Sequence, residues 1–390
     1  GAALHEGPRW EWESFPEYLD VLSQRQFDLD VGAQLPHGAL RVFVMGERGA
    51  AREPATVEDI AQMRQLTTEA INAGALGVTS SRTLNHRSSR GEPTPSLTAE
   101  LDELRGIALG LKDAGRGVME MISDFDELHD EFDRLEAMVA ESGRPMSISL
   151  AQGLSPNGWH KILDRIDAAV AKGLVMRGQV APRAIGILMG HTTTLNPFSS
   201  RPSYQEVARL PLAEKLQALR DPARKARILS EPAAPGFARL YKLMADGQKL
   251  WQLQDPPDYE PAPEDSLASQ AQRAQAETWS YVYDRLLEQH GEVILYTPFA
   301  NYAENNLDCC REMILADNTV MGLGDGGAHV GTICDASFIT TLFTHWGRDR
   351  SRGERIDLPT LVKRQTWDTA RAVDLHDRGL LQPGMKADVN

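Results

Sequence analysis

The sequence predicts an α/β fold, a (β/α)8 TIM-type barrel incomplete at its N-terminal strands. Two observations carry this. Apolar β-type runs alternate with amphipathic helical stretches along most of the chain, the pattern of a parallel sheet with crossover helices. One such run, residues 319–323, halts at Asp325, and Gly326, Gly327, His329 and Gly331 follow. A strand ending in a carboxylate and then a glycine-rich loop is how such a barrel presents an acid at its C-terminal rim. No GxGxxG opens a helix after a first strand, so a dinucleotide-binding fold has no support.

The elements follow in order. Residues 31–37 read as a short strand ending in His37. Thr56 and Asp59 form a capping pattern for a long helix whose apolar stripe is Met63, Leu66, Ala70 and Ile71. Residues 74–81 are the next strand, and a helix runs from about 96 to 114. A strand over 117–124 precedes a helix over 128–141. Strands at 144–152 and 174–182 flank a helix near 158–172. A strand at 293–298 precedes a helix over 306–316, and the strand before Asp325 makes seven. Residues 190–290 break this rhythm with many prolines, too long a stretch for a plain loop. They read as a helical insertion, either a lid over the barrel mouth or an oligomer contact. A last helix runs from 358 to about 375.

With 390 residues, 42% hydrophobic and 25% charged, the composition is that of a globular chain. A formal charge of −14 argues against a nucleic-acid or anionic-membrane surface and fits an enzyme of small molecules. No apolar run reaches the roughly 18 residues needed to span a membrane. Only Cys309, Cys310 and Cys334 occur, and the first two are adjacent. No disulfide framework or cysteine zinc motif is implied, and a cytoplasmic location is the default.

Several segments together resemble a known family. Residues 362–371, 377–380 and 382–389 look like the closing helix and sandwich-entry strand of the amidohydrolase superfamily. Residues 322–335 with 344–350 resemble its D-aminoacylase branch, the N-acyl-D-amino-acid deacylases of amidohydrolase family 3. Residues 37–41, 44–46 and 74–81 agree with that branch. The resemblance covers essentially the whole chain. It implies a barrel over 1–375 and the start of a β-sandwich domain over 376–390. It also implies one or two Zn2+ ions at the mouth and hydrolysis of an amide. The branch's His-x-His motif and ligand cysteine are expected upstream of Gly1, and the closing sandwich strands beyond Asn390. The chain thus reads as a fragment truncated at both ends. It departs from the branch where Glu120 stands for a histidine ligand on the fifth strand. Residues 149–152 likewise lack one on the sixth.

On this resemblance Asp325 is both metal ligand and acid–base, taking a proton from the attacking water and passing it to the leaving amine. His329 would polarise the substrate carbonyl or orient Asp325. Glu120 would be a metal ligand facing into the barrel among Val118 and Ile122, or else would pair with Arg183. Arg82, His86 and Arg183 are rim groups suited to gripping a substrate carboxylate, with Asn301 and Tyr302 as weaker substrate contacts. His37 reads as a core histidine, and the Cys309–Cys310 pair as packing. The expected function is a metal-dependent amide hydrolase, deacylase-like, acting on an acylated amino acid or related amide, with neither nucleic acid nor membrane as partner and a homo-oligomer possible. The alternatives are a cyclic amide or imide hydrolase of the same superfamily, and a non-catalytic barrel that binds a small ligand.

Overall fold

The computed structural model describes residues 10–88, 90–153, 155–326, 331–333 and 335–386. His329 and Cys334 therefore lie outside the described residues.

Among the described residues there are nine strands: β1 (Gln34–Pro36), β2 (Gly77–Arg82), β3 (Val118–Ser123), β4 (Met146–Ser149), β5 (Met176–Val180), β6 (Ile185–Met189), β7 (Trp251–Gln252), β8 (Leu295–Ala300) and β9 (Thr319–Met321). Six of them form one sheet in the order β1-β2-β3-β4-β5-β9, and every neighbouring pair is parallel. Parallel strands need long crossovers, and these are the helices Val57–Ala73, Leu101–Ala114, Leu128–Ser142 and Gly158–Ala171. The first starts at a capping box in which Thr56 and Asp59 each accept the other's backbone N–H. Two of the others end on left-handed glycines, Gly115 and Gly143.

One face of the sheet builds the core. Val78, Met119, Met121, Met146, Ile148 and Met176 pack against Leu104, Leu111, Phe132, Leu135, Val139 and Ile166 of the crossover helices. Burying each such side chain stabilises by about 1.5–3 kcal/mol. The opposite face is polar. Pairing register sets Thr79, Glu120, Ser147 and Arg177 side by side across β2 to β5, all half-buried. A packed barrel interior is filled by Val, Ile and Leu instead. Glu120 sits between Thr79 and Ser147 across the strands, with Val118 and Ile122 on its own face of β3.

The structure refines the expected elements at several points. Among the described residues the parallel sheet has six strands and does not close. The segment at 293–298 is not a barrel strand: it lies in β8, the centre of a separate antiparallel sheet ordered β6-β8-β7. β6 was not anticipated. It starts five residues after β5 ends, too close for a parallel crossover, so it pairs antiparallel with β8. Within 190–290 the described elements are helices except for the two-residue β7, and β6 and β8 flank that stretch. Its helices, among them Leu212–Leu219, Pro222–Ser230 and Thr278–Leu286, share a core with β6 and β8 around Met189, Leu219, Val282 and Leu295. The single helix expected over 358–375 is broken into Leu358–Lys363, a π-helical turn Arg364–Asp368, and Thr369–Ala372. Arg364 is drawn inward there to donate to the carbonyls of Leu315, Ala316 and Thr319. Residues 376–386 contain no strand. No described helix is long and apolar enough to cross a membrane.

Candidate active site at the carboxyl end of the parallel sheet

β9 ends at Met321, and the chain reaches Asp325 four residues later, at the carboxyl end of the sheet. The Gly322 N–H still donates to the Val180 carbonyl, so the segment leaves the sheet beside β5. Gly322 is required by its neighbour, since a Cβ there would collide with the Gln179 side chain. Leu323 then takes a left-handed conformation, φ 62°. Such backbone costs energy and is retained where the surroundings fix it. Asp325 itself is exposed.

Glu120 on β3 is close enough for Asp325 to influence its ionisation. Burial pushes the Glu120 carboxyl above its usual range, the amides of Gln34 and Gln179 oppose this, and Asp325 adds to the rise. Gln34 Nε2 donates to Glu120 Oε2 at 3.0 Å from β1, and Gln179 stands on β5. Both glutamine Oε1 atoms are buried without a hydrogen-bond partner. Sequence reasoning missed these two glutamines. Their signal was a polar residue on the inward parity of an otherwise apolar strand.

The other expected site residues are placed differently. Arg82 does not reach out for substrate: its guanidinium is buried, forked onto Glu131 at 2.5 and 3.1 Å, with a third bond to the Ala99 carbonyl. Arg183 is 1% exposed, stacked between Tyr259 and Phe338, with Asp335 Oδ1 at 3.5 Å from Nη2. The alternative pairing of Glu120 with Arg183 is therefore replaced by the glutamines. Asn301 is fully buried, accepting from the Gln152 N–H and donating to the Arg183 carbonyl. Tyr302 is buried too, its hydroxyl donating to the Pro261 carbonyl and accepting from Arg352. The polar atoms of Arg82, Asn301 and Tyr302 named here find their partners within the protein. His86 is exposed, with Nδ1 2.8 Å from Ser81 Oγ, and stays at the rim. His37 is a core histidine as expected, set between Ser80 Oγ and Glu103 at 2.8 Å each. Cys309 and Cys310 are buried on the helix Asp308–Leu315.

Zinc takes nitrogen, sulfur and carboxylate ligands in a tight tetrahedral set. Around Asp325 the described mouth offers the Glu120 carboxylate and two orphaned amide oxygens, with no histidine or cysteine among them. Among the described residues no three His, Cys, Asp or Glu side chains gather into a metal-holding group. This donor set does not fit a zinc centre by itself. A cavity of about 260 Å3 opens just beyond β3, lined by Ser123, Asp124, Asp126, Glu127, Asp130 and Glu131 among others. It includes neither Glu120 nor Asp325.

Comparison with known proteins was then informative. Residues 3–390 match the amidohydrolase family. A curated D-aminoacylase from Alcaligenes xylosoxydans xylosoxydans is 37% identical over 75 residues, which is 19% of this chain and 15% of the relative. Two solved structures of D-aminoacylase superpose with TM-scores of 0.58 and 0.57 at 19% and 18% identity. Each match covers 96% of this chain and 64% of the solved chain. The first of these addresses a binuclear metal centre in D-aminoacylase. At such identity the likeness establishes fold alone. The chain spans under two thirds of the length of these relatives.

Proposed function

The chain belongs to the amidohydrolase family, and on that premise we propose that it hydrolyses amide C–N bonds and is deacylase-like, cleaving the amide of an N-acylated amino acid. The six-stranded sheet is read as the larger part of a (β/α)8 barrel. The observation that supports this reading best is the position of Asp325, exposed at the carboxyl end of the sheet beside the half-buried Glu120. Two neighbouring carboxyls in different surroundings can divide the work of proton transfer.

Asp325 takes a proton from water as the water oxygen bonds to the acyl carbon. The C–N bond then breaks and Asp325 returns the proton to the departing nitrogen. The products are a carboxylate and a free amino acid. Asp325 and Glu120 are the two oxygen ligands this chain would give a zinc ion. The described mouth does not complete such a set, so the steps here run through Asp325 alone.

The test is release of amino acid from N-acetyl-D- and N-acetyl-L-amino acids by the wild-type chain and Asp325→Asn. Hydrolysis that falls by about 100-fold or more in the variant is expected, the range lost with a general acid–base. Equal rates in the two proteins would remove Asp325 from the chemistry.

A further inference from the structure

The insertion touches the segment that carries Asp325 at several points, and one side chain gathers them. Arg183 lies three residues beyond β5, at the rim where Gly322 leaves the sheet. Its Nη2 donates to Ser337 Oγ at 3.2 Å and lies 3.5 Å from Asp335 Oδ1. Its guanidinium carbon is 3.7 Å from the centre of the Tyr259 ring and 4.5 Å from that of Phe338. Tyr259 comes from the proline-rich end of the insertion, whereas Ser337 and Phe338 lie on the Asp325 side.

The residues flanking Asp325 rest on what Arg183 holds. A Cβ built on Gly324 would sit 3.5 Å from the Asp335 carbonyl, and one on Gly326 3.5 Å from the Ala336 Cβ. Residues 324 and 326 thus lie within one methyl group's reach of residues 335–336, and the Asp325 charge acts on the Asp335 carboxyl. β6 and the start of the insertion add two main-chain bonds to the same region. Leu188 N donates to the Thr332 carbonyl at 2.7 Å and Thr194 N to the Gly331 carbonyl at 2.9 Å.

We propose that Arg183 is a positioning residue for Asp325, a stacked cation that fixes residues 335–338 and, through them, the backbone of 324–326. The proposal rests on Asp325 being the acid–base of the deacylase reading. Arginine suits the task because its planar guanidinium stacks between two rings while donating at its edge. A lysine keeps charge but neither the stack nor the fork. Asp335 gives the arrangement its electrostatic need: it is 3% exposed, and a buried carboxylate requires a cation.

The experiment compares wild type, Arg183→Lys, Arg183→Met and Tyr259→Leu by hydrogen exchange and by steady-state hydrolysis of an N-acetyl amino acid. Amides of 322–326 and 335–338 are expected to exchange at least 10-fold faster in Arg183→Met, with those of β1 to β4 unchanged. Arg183→Lys should recover only part of the protection. Tyr259→Leu, which leaves the arginine in place, should shift the same segment in the same direction by less. In hydrolysis, kcat should fall about 10-fold or more at constant KM. Unchanged exchange over 322–326 and 335–338 in a folded Arg183→Met protein would overturn the proposal, as would a rise in KM at constant kcat. If Arg183→Met does not fold, unchanged exchange in Tyr259→Leu overturns it instead. A wild type without amide hydrolysis would defeat the deacylase reading, while the exchange data would still decide whether Arg183 holds the segment.

Discussion

Arg82 shows how a residue at a strand end can be a pillar and not a hand. It closes β2, where the sequence suggests a rim cation, yet its guanidinium turns back under the helix Leu128–Ser142 to Glu131. Both partners are nearly buried, so removing one leaves the other charge uncompensated. That loss costs about 3–5 kcal/mol in buried pairs. Arg82→Met should therefore lower unfolding stability in urea by that order, and in whatever fraction stays folded KM should be unchanged. A several-fold rise in KM with native stability would restore Arg82 as a substrate contact. The same burial separates Asn301 and Tyr302 from substrate. Residue type and strand-end position were legible in the sequence. Which way the side chain turns was not, because that depends on partners such as Glu131 and Gln152 that lie 49 and 149 positions away.

At the scale of elements, the proline-rich stretch read as part of a lid or an oligomer contact is anchored in the chain's own core. Trp251 Nε1 donates to the Ala262 carbonyl, and Arg352 donates to the Glu260 carbonyl. Glu260 is the anchor. Arg350 forks onto it at 3.1 and 3.0 Å, the Leu307 N–H donates at 2.9 Å, and His345 Nε2 lies 3.1 Å away. Burial alone would raise its pKa, but these partners prevail and hold it down to about 2. A carboxyl whose folded pKa is depressed adds stability above its unfolded pKa, near 4.5, and loses it as pH falls through the folded value. The contribution is on the order of 3 kcal/mol. The stability gap between wild type and Glu260→Gln should therefore be full at pH 6 and shrink between about pH 4.5 and 2, measured by urea unfolding. A gap that does not change with pH would mean Glu260 titrates normally. Elements whose signals are local were readable: the capping box at Thr56, the crossover helices, and five of the parallel strands before β9. β8 misled and β6 was missed because an apolar run carries no mark of direction, and only the four residues between β5 and β6 hinted that pairing reverses.

For the whole molecule, the polar inner face and the two edges of the sheet matter most. Thr79, Glu120, Ser147 and Arg177 give the inner face a hydrophilic row that the helix-packed face lacks. The barrel was legible as alternation of strands and helices, but closure is a global property that no local pattern encodes. β1 and β9 are the edges of the described sheet, each three residues long. A short edge limits pairing with another chain, yet the approach to β1 is apolar and exposed, with Leu29 80% and Val31 54% accessible. Asp30 between them pairs with Arg378 and Lys386, which brings the exposed Leu380 and Leu381 to the same end of the molecule. Exposed apolar side chains beside an outer strand of the described sheet favour association with a second copy. The 390-residue chain should accordingly sediment as a concentration-dependent mixture at micromolar protein. Leu29→Asp should shift that mixture toward monomer by several-fold in association constant, because a charge beside an edge opposes strand pairing and removes apolar area. The substitution is at an exposed site, so stability should change by no more than about 0.5 kcal/mol. A wild-type chain that stays monomeric up to about 100 μM, well above the micromolar range in which exposed edges associate, would show that Asp30 and its two cations already shield the edge.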